Sequence, residues 1–148
     1  MSAGNVTLDD IASADWSLML DSSSTTQMSG SGIGNVVQGV ADINQCIGII
    51  LATPKGSDPL RPTFACDLWQ WLDAPITIAR AHLVREIVEA ITKWEPRVRV
   101  LSVTVDLVAG TQSNLTLTIV WQLRVEASVP GGPKTQQSLT LTVPRNLA

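Results

Sequence analysis

The sequence is poor in the residues that carry most enzyme chemistry. It has one histidine, His82, which cannot by itself build a familiar multi-histidine zinc pattern. Its two cysteines, Cys46 and Cys66, have no CxxC spacing and are expected as free thiols in a reducing compartment. No GxxxxGK[ST] loop and no GxSxG elbow occurs. Gly30-Ser-Gly-Ile-Gly34 lacks a strong preceding strand and the full GxGxxG spacing, so it reads as linker. No cofactor and no metal site is expected. The longest apolar run, Ile47–Ala52, is far below membrane-spanning length. The start, Met1-Ser-Ala-Gly-Asn-Val, lacks the basic and apolar regions of a signal peptide. The formal net charge is -3, which argues against general attraction to nucleic acid or to anionic lipid. Charged residues make up only 16% of the chain, against about a quarter in ordinary domains. With hydrophobics at 45%, either the surface is Ser/Thr-rich over a well-filled core, or partners cover part of the apolar surface.

The stretch Pro75–Arg99 organises what is present. Leu83, Ile87, Ile91 and Trp94 recur at helical spacing, with Val84 and Val88 widening the stripe. Arg80, His82, Arg85, Glu86, Glu89 and Lys93 fall on the other side, and His82 reads as a surface residue. Arg85–Glu89 and Glu89–Lys93 are opposite charges at helical spacing on one solvated face. Pro96 disfavours helical dihedrals at Glu95, so the helix should stop near Trp94 and feed a strand.

Residues 1–34 read as a flexible N-terminal arm, with a short strand at Trp16–Leu20, and residues 35–148 as a single domain. Asn35 and Gln38 have capping-box spacing, which predicts a first helix from Val36 with Val40, Ile43, Ile47 and Ile50 inward. Around Phe64–Asp73 one or two helical turns are expected, with Leu68 and Leu72 facing inward. Beyond the central helix, apolar parity switches near Val100, the signature of a bulge. Leu115, Leu117, Ile119, Trp121, Leu123 and Val125 then alternate with polar residues, and Leu139, Leu141 and Val143 repeat the pattern. Alternation of this kind indicates an antiparallel sheet with one buried face. The expected class is α+β: two main helices on one face of a small antiparallel sheet of about three to four strands.

Five tryptophans stand against one Phe and no Tyr. Trp94 and Trp121 fall on predicted core faces. Trp69 and Trp71 cannot both face inward on one helix, so one of them is a candidate interface anchor. Glu95 lies where the negative end of a helix disfavours an acid, and Arg97 is the nearest compensating charge. Glu95, Pro96 and Arg97 therefore read as a local ion pair that locks a corner, as a subunit contact, or as both.

Ile49–Phe64, which contains Thr53-Pro-Lys-Gly-Ser-Asp-Pro-Leu-Arg-Pro-Thr-Phe64, resembles a block of the contractile-tail baseplate wedge family. These are the W-type baseplate assembly proteins, sometimes labelled lysozyme-like. Leu68…Leu72-Asp73-Ala-Pro75 resembles the next block, and Trp94-Glu-Pro-Arg-Val-Arg-Val100 resembles the Glu-Pro-Arg signature with its following strand. Order and spacing agree from about Val36 to Leu107; Ala65 departs from the glycine common in the family. The resemblance implies a structural protein of the virion tail baseplate, assembled in the host cytoplasm. It implies contact with other wedge proteins, with the tail sheath protein and with tube or hub proteins, and sheath initiation by strand pairing. Glu95, Pro96 and Arg97 are then the signature contact, and Trp69, Trp71, Leu139, Leu141 and Val143 candidate interface positions. The competing readings are a subunit of a type VI secretion or phage-derived injection particle, a peptidoglycan hydrolase using Glu95, and a scaffold that leaves before the particle matures.

Overall fold

A computed structural model describes residues 15–20, 36–108, 114–124 and 136–144. The predicted arm before Asp15, the Ser/Thr/Gly tract up to Gly34, the turn expected at 109–113, the expected strand residues Val125 and Glu126 and the loop expected at 129–134 lie outside the described residues. Two compact units, residues 1–46 and 47–148, are taken in turn.

In the first unit β1 (Trp16–Leu18) pairs antiparallel with β2 (Val36–Gln38), with Trp16 opposite Gln38 and Leu18 opposite Val36. The short strand expected near Trp16 is therefore present. The helix predicted from Val36 instead begins at Val40, as α1 (Val40–Ala52). Gly39 accounts for the difference: its φ of 58° turns the chain out of the ladder, a conformation glycine adopts without steric cost. Its N–H donates to Asp15 O at 3.2 Å. Gln45 then ties the ribbon to the helix. Its Oε1 accepts from the Leu20 N–H at 2.8 Å, and its Nε2 donates to Leu18 O at 2.7 Å and to Ser17 Oγ at 2.9 Å. On α1 the predicted inward positions Ile43, Ile47 and Ile50 are buried, whereas Val40 is exposed.

The second unit begins with the end of α1, where Thr53 Oγ1 donates to Ile49 O at 2.7 Å. The chain then loops back so that Pro54 and Cys66 form a parallel bridge, with the Lys55 N–H on Cys66 O at 3.2 Å. A 3₁₀ turn at Trp69–Trp71 follows, between buried Leu68 and Leu72. The long helix α2 (Ile76–Trp94) opens at Pro75, whose carbonyl accepts from Ile78 and Ala79. Leu83, Ile87 and Ile91 are buried as the period requires, joined by Ala79 and Ala90. Val88 is exposed and Val84 and Trp94 are half-buried, so the buried stripe is narrower than the apolar one, and Trp94 is not core.

The sheet runs β3 (Val98–Leu107), β4 (Asn114–Leu123), β5 (Gln137–Pro144), antiparallel throughout, with α2 packed on β3. Its register shifts between Val100 and Ser102, where the parity switch predicts a bulge. The core row is Leu115, Leu117, Ile119 and Trp121 on β4 with Val98 and Val105 on β3, each at most 1% exposed. This is the expected α+β class, with a two-stranded ribbon in addition to the three-stranded sheet.

Two features of the loop before the 3₁₀ turn can be tested. Ala65 is buried with φ 74°, a left-handed conformation that costs an alanine about 1 kcal/mol and a glycine nothing. Ala65→Gly should raise Tm by a few degrees in a thermal melt; a lower Tm would mean that the methyl's packing outweighs the strain. Burial pushes the Cys66 thiol up to about 11, and its S–H lies 3.5 Å from Ile50 O. The thiolate is then on the order of one part in a thousand at pH 8. Mass-mapped alkylation at pH 8 should leave Cys66 unmodified until urea unfolds the chain. Because the folded thiol holds its proton above the ordinary value of 9.0, its contribution to stability is present below pH 9 and is lost as the pH rises towards 11.

Candidate functional site

The helix exit is the most tightly specified part of the second unit. The Glu95 N–H still donates to Ile91 O at 2.8 Å, but its φ of -124° and ψ of 77° have left the helix. Val98 N–H reaches Glu95 O at 3.3 Å and closes the turn over Pro96. Glu95 is 4% exposed. Arg97 grips its carboxylate with both arms of the guanidinium: Nε to Oε1 and Nη2 to Oε2, each 2.7 Å. The bidentate geometry supplies positive charge at the negative end of α2 and satisfies both acid oxygens. Arg97 O in turn accepts from the Arg124 N–H at 2.9 Å, and Arg124 Nε donates to Val98 O at 3.2 Å. The expected ion pair thus exists, and it joins the end of α2 to both β3 and the end of β4.

The first and third blocks of the family resemblance meet beside this corner. Phe64 and Trp94 pack edge to face, with centroids 5.1 Å apart at 73°. Arg61 lies 4.6 Å over the Phe64 ring and Lys93 4.7 Å over Trp94. Asp58 shapes the loop. Its Oδ1 accepts the Leu60 N–H at 2.9 Å and its Oδ2 takes Arg61 Nε at 3.1 Å. The Leu60 N–H, with Arg61, holds the Asp58 carboxyl below its ordinary range. Leu60 itself is 92% exposed.

The two tryptophans of the 3₁₀ turn part company. Trp71 stacks flat on His82, centroids 3.7 Å apart and planes within 2°, so His82 is half-buried under an indole rather than free on the surface. Trp69 is 46% exposed. It lines an apolar groove of about 240 Å³ with Leu51, Leu68, Leu72, Leu141 and Val143. Sequence-picked Trp69, Leu141 and Val143 are therefore brought together. Leu139 and Trp71 do not line the groove, and neither do Glu95, Pro96 and Arg97.

The two sheet edges differ. Val108 N–H donates to Asn114 O at 3.0 Å, which sets the phase of the ladder. In antiparallel pairing each residue points both backbone groups the same way and the next residue points them oppositely. Leu107 and Val105 therefore turn theirs away from β4, and Arg80 Nε donates to that outward Val105 O at 2.9 Å. Carried through the Leu115–Val143, Leu117–Leu141 and Ile119–Leu139 pairs, the same phase turns the backbone groups of Ser138, Thr140 and Thr142 out from β5. Among the described residues, no side chain bonds these groups. The sequence places Arg80 only on a polar helix face; its cap on β3 has no sequence signal because it depends on ladder phase.

Among the described residues, no group of three or more His, Cys, Asp or Glu side chains is placed to hold a metal, and no helix is long and apolar enough to cross a membrane.

The corner gives a direct stability test. Arg97→Ala strips the partner from a buried carboxylate and should cost about 2–4 kcal/mol in urea unfolding. Exposed Arg99→Ala should stay within about 0.5 kcal/mol of the parent. Equal losses would show that the ion pair does not hold the corner.

Comparison with known proteins agrees with the resemblance. The family profile of baseplate wedge protein gp25 matches residues 37–128. Baseplate protein W of Escherichia phage P2 is 33% identical over 112 residues, spanning 75% of this chain and 88% of the phage protein. A crystal structure from Geobacter sulfurreducens, described as a tail lysozyme, superposes with a TM-score of 0.62 at 28% identity, over 74% of this chain and 96% of that one. A chain of the post-contraction pyocin R2 baseplate gives 0.53 at 26% identity, over 62% and 92%. A chain of a type VI secretion baseplate complex gives 0.54 at 19% identity, over 68% and 88%, a likeness of fold alone. The profile runs from β2 through β4 and takes in the loop, the long helix and the locked corner, so the chain belongs to the baseplate wedge protein gp25 family and is by that membership a structural baseplate protein.

Proposed function

We propose that this chain acts without catalysis, as a wedge subunit of a phage tail baseplate that helps start the sheath. It binds neighbouring wedge proteins at the corner built by Glu95, Pro96 and Arg97, and lends the outer edge of β5 to a strand of the tail sheath protein. Tube or hub proteins are further contacts of the same assembly, which forms in the host cytoplasm and remains in the virion tail.

The observation that carries this reading is the inequality of the two edges. Arg80 occupies an outward carbonyl of β3. The outward N–H and C=O groups of Ser138, Thr140 and Thr142 on β5 carry no side-chain cap among the described residues. An edge of that kind is a template for an added strand, and main-chain bonds supply the affinity. A secretion or injection particle would use the same edge, and the neighbouring genes separate the two settings.

A hydrolase reading gains little from Glu95. A catalytic acid must touch its substrate, and this carboxylate is 4% exposed with both oxygens held by Arg97.

Thr140→Pro is the sharpest test of strand lending. It removes an outward N–H and leaves the bonds to β4 intact, which an edge strand tolerates. The variant should fold, enter wedges and yield tails without sheath, seen by electron microscopy. Leu141→Pro should instead unfold the sheet. Normal sheathed tails from folded Thr140→Pro protein would end the proposal.

A further inference from the structure

The strand that β5 receives must also fill something. The apolar groove lies at the same margin, and four of its lining residues, Leu141, Thr142, Val143 and Pro144, belong to β5 itself. Opposite them stand Gly48, Leu51 and Ala52 of α1 and Leu68, Trp69 and Leu72 of the 3₁₀ segment. All ten lining residues are uncharged. From this juxtaposition we infer that the groove is a side-chain pocket reading the strand added at β5, and that it selects a strand with uncharged apolar residues at alternate positions. The inference rests on the strand-pairing reading of β5 and adds to it a rule for the partner's sequence.

The geometry dictates that rule. Residues directly opposite one another in a ladder place their side chains on the same face. Leu141 and Val143 point to the apolar face, as their half-buried state and the exposure of Thr140 and Thr142 show. An added strand that bonds the outward groups of Thr140 and Thr142 therefore sets the residues facing Leu141 and Val143 over the groove, two apart in its own sequence. Its intervening residues face away, beside Thr140 and Thr142. A volume of about 240 Å³ falls below the roughly 300–1,000 Å³ of small-molecule sites and suits one or two aliphatic side chains. A charged residue brought there would lose its hydration with no counter-charge in the wall. Trp69 lines the groove and is 46% exposed, so its ring has surface left to bury when the groove is filled.

The test uses the full chain and two synthetic peptides of equal length, capped at both ends and flanked by lysine for solubility. One reads Thr-Val-Thr-Leu-Thr-Val-Thr and the other Thr-Asn-Thr-Gln-Thr-Asn-Thr. NMR titration follows the Thr140 and Thr142 amides for pairing and the Trp69 indole for groove filling. The apolar peptide should shift all three signals and bind at least about tenfold more tightly than the polar one. Trp69→Thr should erase that preference and leave the amide shifts in place. Equal binding of both peptides at Thr140 and Thr142 would overturn the pocket and leave strand lending standing. Failure of the apolar peptide to move those amides at millimolar concentration would overturn the pocket and count against the edge as well. A Trp69 signal that moves with protein concentration alone, with dimers in sedimentation, would assign the groove to a second copy of the chain and overturn the inference.

Discussion

A carboxylate at the end of a helix, shielded from solvent, is held there by one guanidinium, and the second unit depends on that contact. Without Arg97 the Glu95 charge would face the carbonyl end of α2 and its own desolvation. With it, the chain leaves the helix in one fixed direction and Pro96 keeps it from resuming. β3 then starts under α2, so that Leu83, Ile87 and Ile91 on α2 and Val98 and Val105 on β3 are all taken out of solvent. The bonds from Arg124 to Arg97 O and Val98 O make the last turn of β4 part of the same clamp. Direction at one corner thereby sets the placement of a whole sheet.

That placement also makes the sheet one-sided. Because α2 lies on β3, Arg80 is within reach of an outward carbonyl and claims it, while its Nη2 lies 3.4 Å from Asp106 Oδ1. Both charges of that pair are more than half exposed, so the ion pair itself adds little; the consequence is the occupied edge. β5 lies at the opposite margin with polar Ser138, Thr140 and Thr142 on its exposed side, and neither a charge nor a bulge within the strand. Natural sheets usually blunt such an edge. An edge that carries no side-chain cap among the described residues, beside an apolar groove, is costly for a free-standing protein and useful for one that neighbours complete.

Periodic features were legible in the sequence. The period of α2, the alternation of β4, the stop imposed by Pro96 and the parity switch near Val100 each arise from local geometry that neighbours only reinforce. What failed did so for want of local information. Asn35 and Gln38 carry a good capping-box spacing, but Val36–Gln38 joined β1 in a ladder, and the positive φ at Gly39 postponed the helix. Val84 and Val88 belong to the apolar stripe of α2 by period, yet the neighbours of a helix, not its period, decide how wide a stripe is covered. The Trp71–His82 stack joins a 3₁₀ turn to a helix, and nothing in either segment announces it. For the site, the Glu95–Arg97 pair followed from the helix dipole. The outward phase of Thr140 and Thr142 depends on a bond between Val108 and Asn114. Ala65 lies between: its departure from the family's glycine was visible, and the positive φ gives the glycine its reason.

The low charge of the chain had two explanations, and the described surface favours the second. Leu60 is almost wholly exposed on a loop that Asp58 braces by backbone and side-chain bonds, so its exposure belongs to an ordered turn. Ile78 and Val88 are exposed on the long helix, Trp69 on the rim of a groove, and Leu18, Met19 and Leu20 run consecutively on the small ribbon. Single exposed leucines are ordinary. Large apolar residues presented by hydrogen-bonded turns, by a long helix and beside an edge strand are harder to attribute to chance. Ser and Thr on the polar faces of the strands explain how the chain manages with few charges. They do not explain why Trp69 and Leu60 face outward from segments stiff enough to keep them there. Burial of those residues in a wedge would supply hydrophobic contacts of the kind that anchor subunits. The spare use of charge is then a property of the assembly that the chain helps to build.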